Sequence, residues 1–339
     1  MTAQSMSDGT AAIPSLADRV RRIEAGAPVV AVHFLGRTPV FVLGEESLLF
    51  AGEEGERRVK IHAGAILASA ADDTRVVTGG DDGTLMETGI AGEPRLIATA
   101  DQKRWVDQVA LAPDGSLAWS AGKTAHVLTK KGEARSFEAP STVAGLAFAP
   151  KGLRLAIAHY NGATLWFPNA PGTPPQKLEW KGSHLGVRFS PDGRFLVTTM
   201  QEPMLHGWRL ADGQHMRMSG YSARVRSLGF TADGEYLATS GYEQLILWPF
   251  GGKEGPMGRQ PKLMAASAAR VSVVACHPKQ PVVAAGYADG RGLLVRIDDG
   301  ALIIAREGDG QPIGALGWDA TGQLLAFGTE GGAAGVLRL

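Results

Sequence analysis

Eight histidines, one cysteine and three adjacent aspartate pairs are the residues of this 339-residue chain best suited to bind a metal or move a proton. His33, His62, His126, His159, His184, His206, His215 and His277 are scattered, with no HExxH and no close pair, so no three are expected to share a metal. Cys276 stands alone, which excludes an intrachain disulfide, a thiolate cluster and a CxxCH haem attachment. It reads as a core residue, and His277 as the start of a turn before Pro278. The pairs Asp72 and Asp73, Asp81 and Asp82, Asp298 and Asp299 fall where turns are expected, and Asp caps tight turns. No GxSxG, GxxxxGKS/T or GxGxxG loop leads from a strand into a helix. The chain is therefore read as a non-enzyme without catalytic residues, cofactor or metal.

These residues are carried by a repeat. Residues 225–241 read VRSLGFTADGEYLATSG and 184–200 read HLGVRFSPDGRFLVTTM: an apolar strand, an Asp-Gly turn and a second apolar strand. The pattern recurs at 143–159 and 106–122, and more weakly from Val29, Val271 and Ile313. The last apolar residue before each turn is Leu111, Phe148, Phe189, Phe230, Cys276 and Trp318, at steps of 37, 41, 41, 46 and 42 residues. A further degenerate unit, marked by RVVTGGDDGTLME at 75–87, brings the count to eight. A four-stranded unit of this length cannot bury both faces alone, and stacking such units around an axis buries them between neighbours. The 45 Gly and 19 Pro suit many short strands joined by turns.

Charge narrows the partners. Lys+Arg and Asp+Glu number 34 each, which argues against nucleic acid or an anionic membrane held by bulk charge. The basic run Arg19, Arg21, Arg22, Arg57, Arg58 and Lys60 is offset by Glu45, Glu46, Glu53, Glu54 and Glu56. The amino-terminal residues lack a basic cluster followed by an apolar core, and no later stretch holds 18 uninterrupted apolar residues. A cytoplasmic protein is expected.

The SPDG turn at 190–193, its relatives at 113–115 and 233–234, the DDGTL at 81–85 and the third-strand Trp166, Trp208 and Trp248 resemble the WD-repeat family of β-propellers. The resemblance covers about 310 residues. It implies an all-β, single closed β-propeller of eight four-stranded blades, with seven as the alternative. No unit carries the family's initial Gly-His pair, and no third-strand Trp is followed by Asp. The buried Asp, His, Ser/Thr and Trp network attributed to the family is thus expected to be missing. The final unit stops after its third strand, so RVRRIE at 19–24 is expected to close the ring, with 1–17 a flexible tail and 18–339 the propeller.

The resemblance also implies a scaffold for another protein or a peptide, working as a monomeric propeller. Loops between second and third strands share one face, where Glu45, Asp81, Tyr160, Tyr242, Tyr287 and Glu330 are equivalent. Loops before the first strands add Trp105, His184, Arg224, Arg226 and Arg270, with His184 expected near the channel mouth. Tyr, Trp and Arg are enriched at interface hot spots, so these residues form the candidate partner site. A channel-based enzyme, or a small-ligand or metal sensor, is the alternative.

Overall fold

The computed structural model describes residues 13–339, which form thirty strands and two single-turn 3₁₀ segments. No described helix is long and apolar enough to cross a membrane. The repeat units span 29–60, 66–99, 106–138, 145–179, 184–218, 228–264, 271–306 and 313–338, here units one to eight. In each, successive strands pair antiparallel from the innermost outwards. Inner strands touch their neighbours from unit six round through units eight and one to unit five, with Val29–Leu35 of unit one beside Ile313–Trp318 of unit eight. Units five and six pack through Phe195, Val197, Val225 and Leu237. The molecule is a β-propeller.

The turns explain why the repeat folds this way. In unit five the Asp192 Oδ1 atom accepts hydrogen bonds from Ser190 Oγ at 2.6 Å and from Arg194 N at 3.0 Å. Gly193 takes a positive φ of 75°, open to glycine at no steric cost. The same Asx-type cap recurs at Asp233 and Gly234 of unit six, so the S/T-x-D-G string fixes the register of the strands it joins.

Sheets bury their faces against each other. Ala238, Leu245 and Leu247 of unit six share one cluster with Val283, Ala285 and Val295 of unit seven. Each fully buried Val or Leu of this kind contributes about 1.5–3 kcal/mol. Packing is close enough that a Cβ on Gly79 of unit two would stand 2.3 Å from Val106 O of unit three.

Packing is not the only lock, contrary to the sequence expectation. In unit two, His62 Nε2 meets Thr78 Oγ1 at 2.9 Å and His62 Nδ1 meets Asp82 Oδ1 at 3.1 Å, with His62 and Thr78 buried and Asp82 half-buried. In unit six Trp248 Nε1 donates to Tyr221 Oη at 2.7 Å, and that hydroxyl lies 2.9 Å from Thr239 Oγ1. Neither network carries a Gly-His signature in the sequence, because Ile61 precedes His62 and a tyrosine, Tyr221, takes the histidine's part in unit six.

The expectation of eight separate sheets gives way to seven hydrogen-bonded sheets, six of four strands and one of six. The six-stranded sheet holds units four and five. Its long strand Gln176–Phe189 pairs through its first half with Leu155–Trp166 and through its second half with Phe195–Met200. Leu155–Trp166 itself doubles back: His159 Nε2 lies 2.9 Å from Thr164 Oγ1, five residues on, across Asn161 and Gly162 with φ of 65° and 141°.

The amino-terminal strand Val20–Glu24 pairs antiparallel with Ala333–Arg338 and completes unit eight. Ile23 enters a cluster with Val29 and Phe41 of unit one and Val336 of unit eight. The boundary of the expected tail at residue 17 lies too late. Ile304 N donates to Pro14 O and Leu16 N to Ile304 O, each at 2.8 Å, so the chain joins the outer edge of unit seven from residue 14. Residues 1–12 of that tail lie outside the described residues.

Candidate interaction face and channel mouth

Just after the start of the inner strand, units one, two, three, five, seven and eight share a β-bulge or register shift. A bulge re-aims one side chain relative to the regular pleat. The residues there are Val30, Leu67, Asp107, Leu185, Ser272 and Gly314, with Ala144 and Arg226 equivalent in units four and six. They ring the channel mouth. Val30 and Leu67 are 50% and 39% exposed, and the nearby loop residues Trp105 and Tyr160 are 62% and 59% exposed. Units one to four therefore present an apolar and aromatic arc.

Units five to seven present the opposite chemistry. Arg188, Arg226 and Arg270 are exposed and Arg224 is half-buried. Protein crowds the Arg188 guanidinium despite the exposure of the residue as a whole, and that desolvation lowers its pKa. Arg224, Arg226 and Arg270, with Glu330, line a cavity of about 490 Å³. Arg188, Arg224 and Arg226 line its neighbour, of about 480 Å³.

The channel offers few other charges. His33 meets Ser69 Oγ at 2.8 Å, and burial lowers its pKa to about 4, so it is neutral. Burial raises the Asp107 carboxyl, which accepts a hydrogen bond from Ser120 Oγ at 2.9 Å. Cys276 is half-buried, and burial pushes its thiol up to about 12, which leaves it inert as a nucleophile. His277 is buried, with Nδ1 accepting from Lys279 N and Gln280 N and Nε2 facing Gly322 O at 3.0 Å, as a turn-closing residue would.

Two of the sequence-derived site residues are corrected. Tyr287 is fully buried and ends the strand Val282–Tyr287, its hydroxyl donating to Ala265 O at 2.7 Å. Unit seven lacks the Asp-Gly turn used to count forward, and a slip of one residue moves a strand side chain to the other face. His184 is also fully buried, held by Thr198 Oγ1 at 2.7 Å and Trp180 O at 3.0 Å. It occupies the place of Val29, Ile66, Val106, Val225 and Val271, all core residues, so it lies away from the mouth. Tyr242 is half-buried against the unit six core.

The rest of the candidate set divides by arc. Arg224, Arg226, Arg270 and Glu330 come together at one cavity, and Tyr160 and Trp180 both line a groove of about 670 Å³ on unit four. Trp105, Glu45 and Asp81 belong to units one to three; Glu45 is exposed and Asp81 half-buried. Sequence reasoning missed Val30, Leu67 and Arg188. Arg188 was detectable: other units carry His33, Ser69, Ala110, Ala147, Gly229, Ala275 and Gly317 at its position, so a guanidinium there breaks the pattern.

No family model matches the chain, and no curated protein does. Among solved structures, it resembles the computationally designed Ika8 protein with a TM-score of 0.76 and 17% identity, over 95% of this chain and 98% of that one. At that identity the likeness concerns the fold.

Proposed function

We propose that this protein is a non-catalytic, WD-repeat-like scaffold in the cytoplasm, working as a monomeric propeller. Its partner is another protein or a peptide, docked on the face that carries Trp105, Tyr160, Arg226 and Arg270. The observation behind this reading is the exposure of Trp105 and Tyr160, large aromatic side chains left in water on the face that also carries the arginines. Amphipathic aromatics and arginines of this kind dominate binding energy when an interface buries them. Glu45, Glu330 and Asp81 set orientation by charge more than they add affinity.

Affinity capture from the native host tests the reading. A partner retained by the parent should be lost from Trp105→Ala, Tyr160→Ala and Arg226→Ala proteins, each with an unchanged melting temperature. A partner that binds all three as tightly as the parent places the interface elsewhere.

A further inference from the structure

Four arginines line two cavities at one side of the channel mouth, faced by a single acidic residue. The two cavities there adjoin, sharing Arg224, Arg226 and Ser227, and Arg188 and Arg270 complete them. Among the described residues, none of the four lies within ion-pair distance of a carboxylate. Glu330 is the one acid lining either cavity. Arg224 Nη1 donates to the neutral Gln201 Oε1 at 3.0 Å. The Cys276 thiol nearby is uncharged at neutral pH.

Like charges held together in a concave site focus a positive potential, and an anion is what relieves it. The serines there do not supply recognition: Ser227 Oγ and Ser272 Oγ donate to Val274 O and Ile313 O, and Ser240 Oγ accepts from Arg226 N and Ser227 N. The guanidiniums remain as the donors, with one nitrogen of Arg224 engaged by Gln201 and none of the four held by a carboxylate among the described residues. Each presents a planar fork matched to a pair of oxygens, so a single carboxylate would occupy one of four. Cavities of this size accommodate a small molecule or one projecting group, not a folded surface.

We propose that the mouth of units five to seven binds a compact anion carrying two or more phosphoryl groups, gripped by Arg188, Arg224, Arg226 and Arg270. The phosphoryl groups are either free or borne by a peptide. The inference goes beyond the docking reading, since it needs no protein partner, and the two fail separately: Trp105→Ala should spoil partner capture and leave anion binding intact.

Calorimetric titration and thermal melting of the full chain at low salt test it. The probes are tripolyphosphate, inorganic phosphate, a doubly phosphorylated serine peptide and the unphosphorylated peptide. Tripolyphosphate should bind, raise the melting temperature and lose affinity steeply as salt is added. Arg188→Gln and Arg226→Gln should each weaken it at least tenfold, whereas Arg135→Gln, on the outer strand of unit three, should not. Arg188→Gln removes a desolvated charge and should melt no lower than the parent without anion. The exposed Arg226 keeps the test valid if it does. Binding of the phosphorylated peptide without tripolyphosphate supports the site and assigns the phosphoryl groups to a peptide. Failure of every phosphorylated probe to bind the parent, or unchanged binding in both glutamine variants, overturns the proposal.

Discussion

At Tyr287 a single hydroxyl separates the two readings of one residue. Its hydrogen bond to Ala265 O is part of the core, so Tyr287→Phe is expected to cost about 1–2 kcal/mol of stability. The urea midpoint should fall while partner and anion binding stay at the parental level. Asp82 gives a test by pH. Burial alone would raise its carboxyl, but hydrogen bonds from Ala63 N, Thr84 and His62 hold it down at about 2. A folded-state pKa below the ordinary aspartate value of 3.8 means stability that is present above pH 3.8 and lost as pH falls towards 2. Asp82→Asn should therefore be less stable than the parent at neutral pH and should lose less of its stability between pH 4 and pH 2, as read by denaturant titration at each pH. Neither role was legible in the chain alone. Tyr287 was placed by counting from a turn that unit seven does not have, and the partner of Asp82 was sought behind a glycine that is not there.

Strands and turns were far easier to read than side-chain directions. The S/T-x-D-G strings announce their turns because the Asp oxygen and the glycine φ are local requirements, satisfied within five residues. The bulge at the head of the inner strand has no such local signature, so the exposure of Val30 and Leu67 could not be inferred from alternation. Fusion of units four and five was equally hidden, since it depends on how Gln176–Phe189 runs from one sheet into the next. The amino-terminal segment offers the test at this scale. Deleting residues 1–16 removes two backbone hydrogen bonds to Ile304 and should cost about 1–3 kcal/mol. Deleting residues 1–24 also strips five paired residues from Ala333–Arg338 and leaves that strand as an open edge, so soluble expression should collapse. A protein lacking 1–24 that melts within a few degrees of the parent would remove the strand from any closing role.

In the whole ring, sequence neighbours supply every sheet but one. Unit eight alone draws its strands from both ends of the chain, through five residue pairs from Val20 with Leu337 to Glu24 with Ala333. That seam acts as a clasp, and a clasp governs time as well as energy. Pairing of such distant segments carries a large loop-closure cost and tends to form after the folding barrier, so weakening it is expected to show in the unfolding rate. Ile23→Ala, which empties a buried site at the seam, should destabilise by about 2–5 kcal/mol. Stopped-flow urea jumps should assign most of that loss to faster unfolding, with refolding nearly unchanged. A variant that slows refolding instead would make the clasp part of the folding nucleus. If unfolding takes the loss, the lifetime of the intact ring, and with it resistance to proteases that need an opened chain, is set by five residues near its beginning.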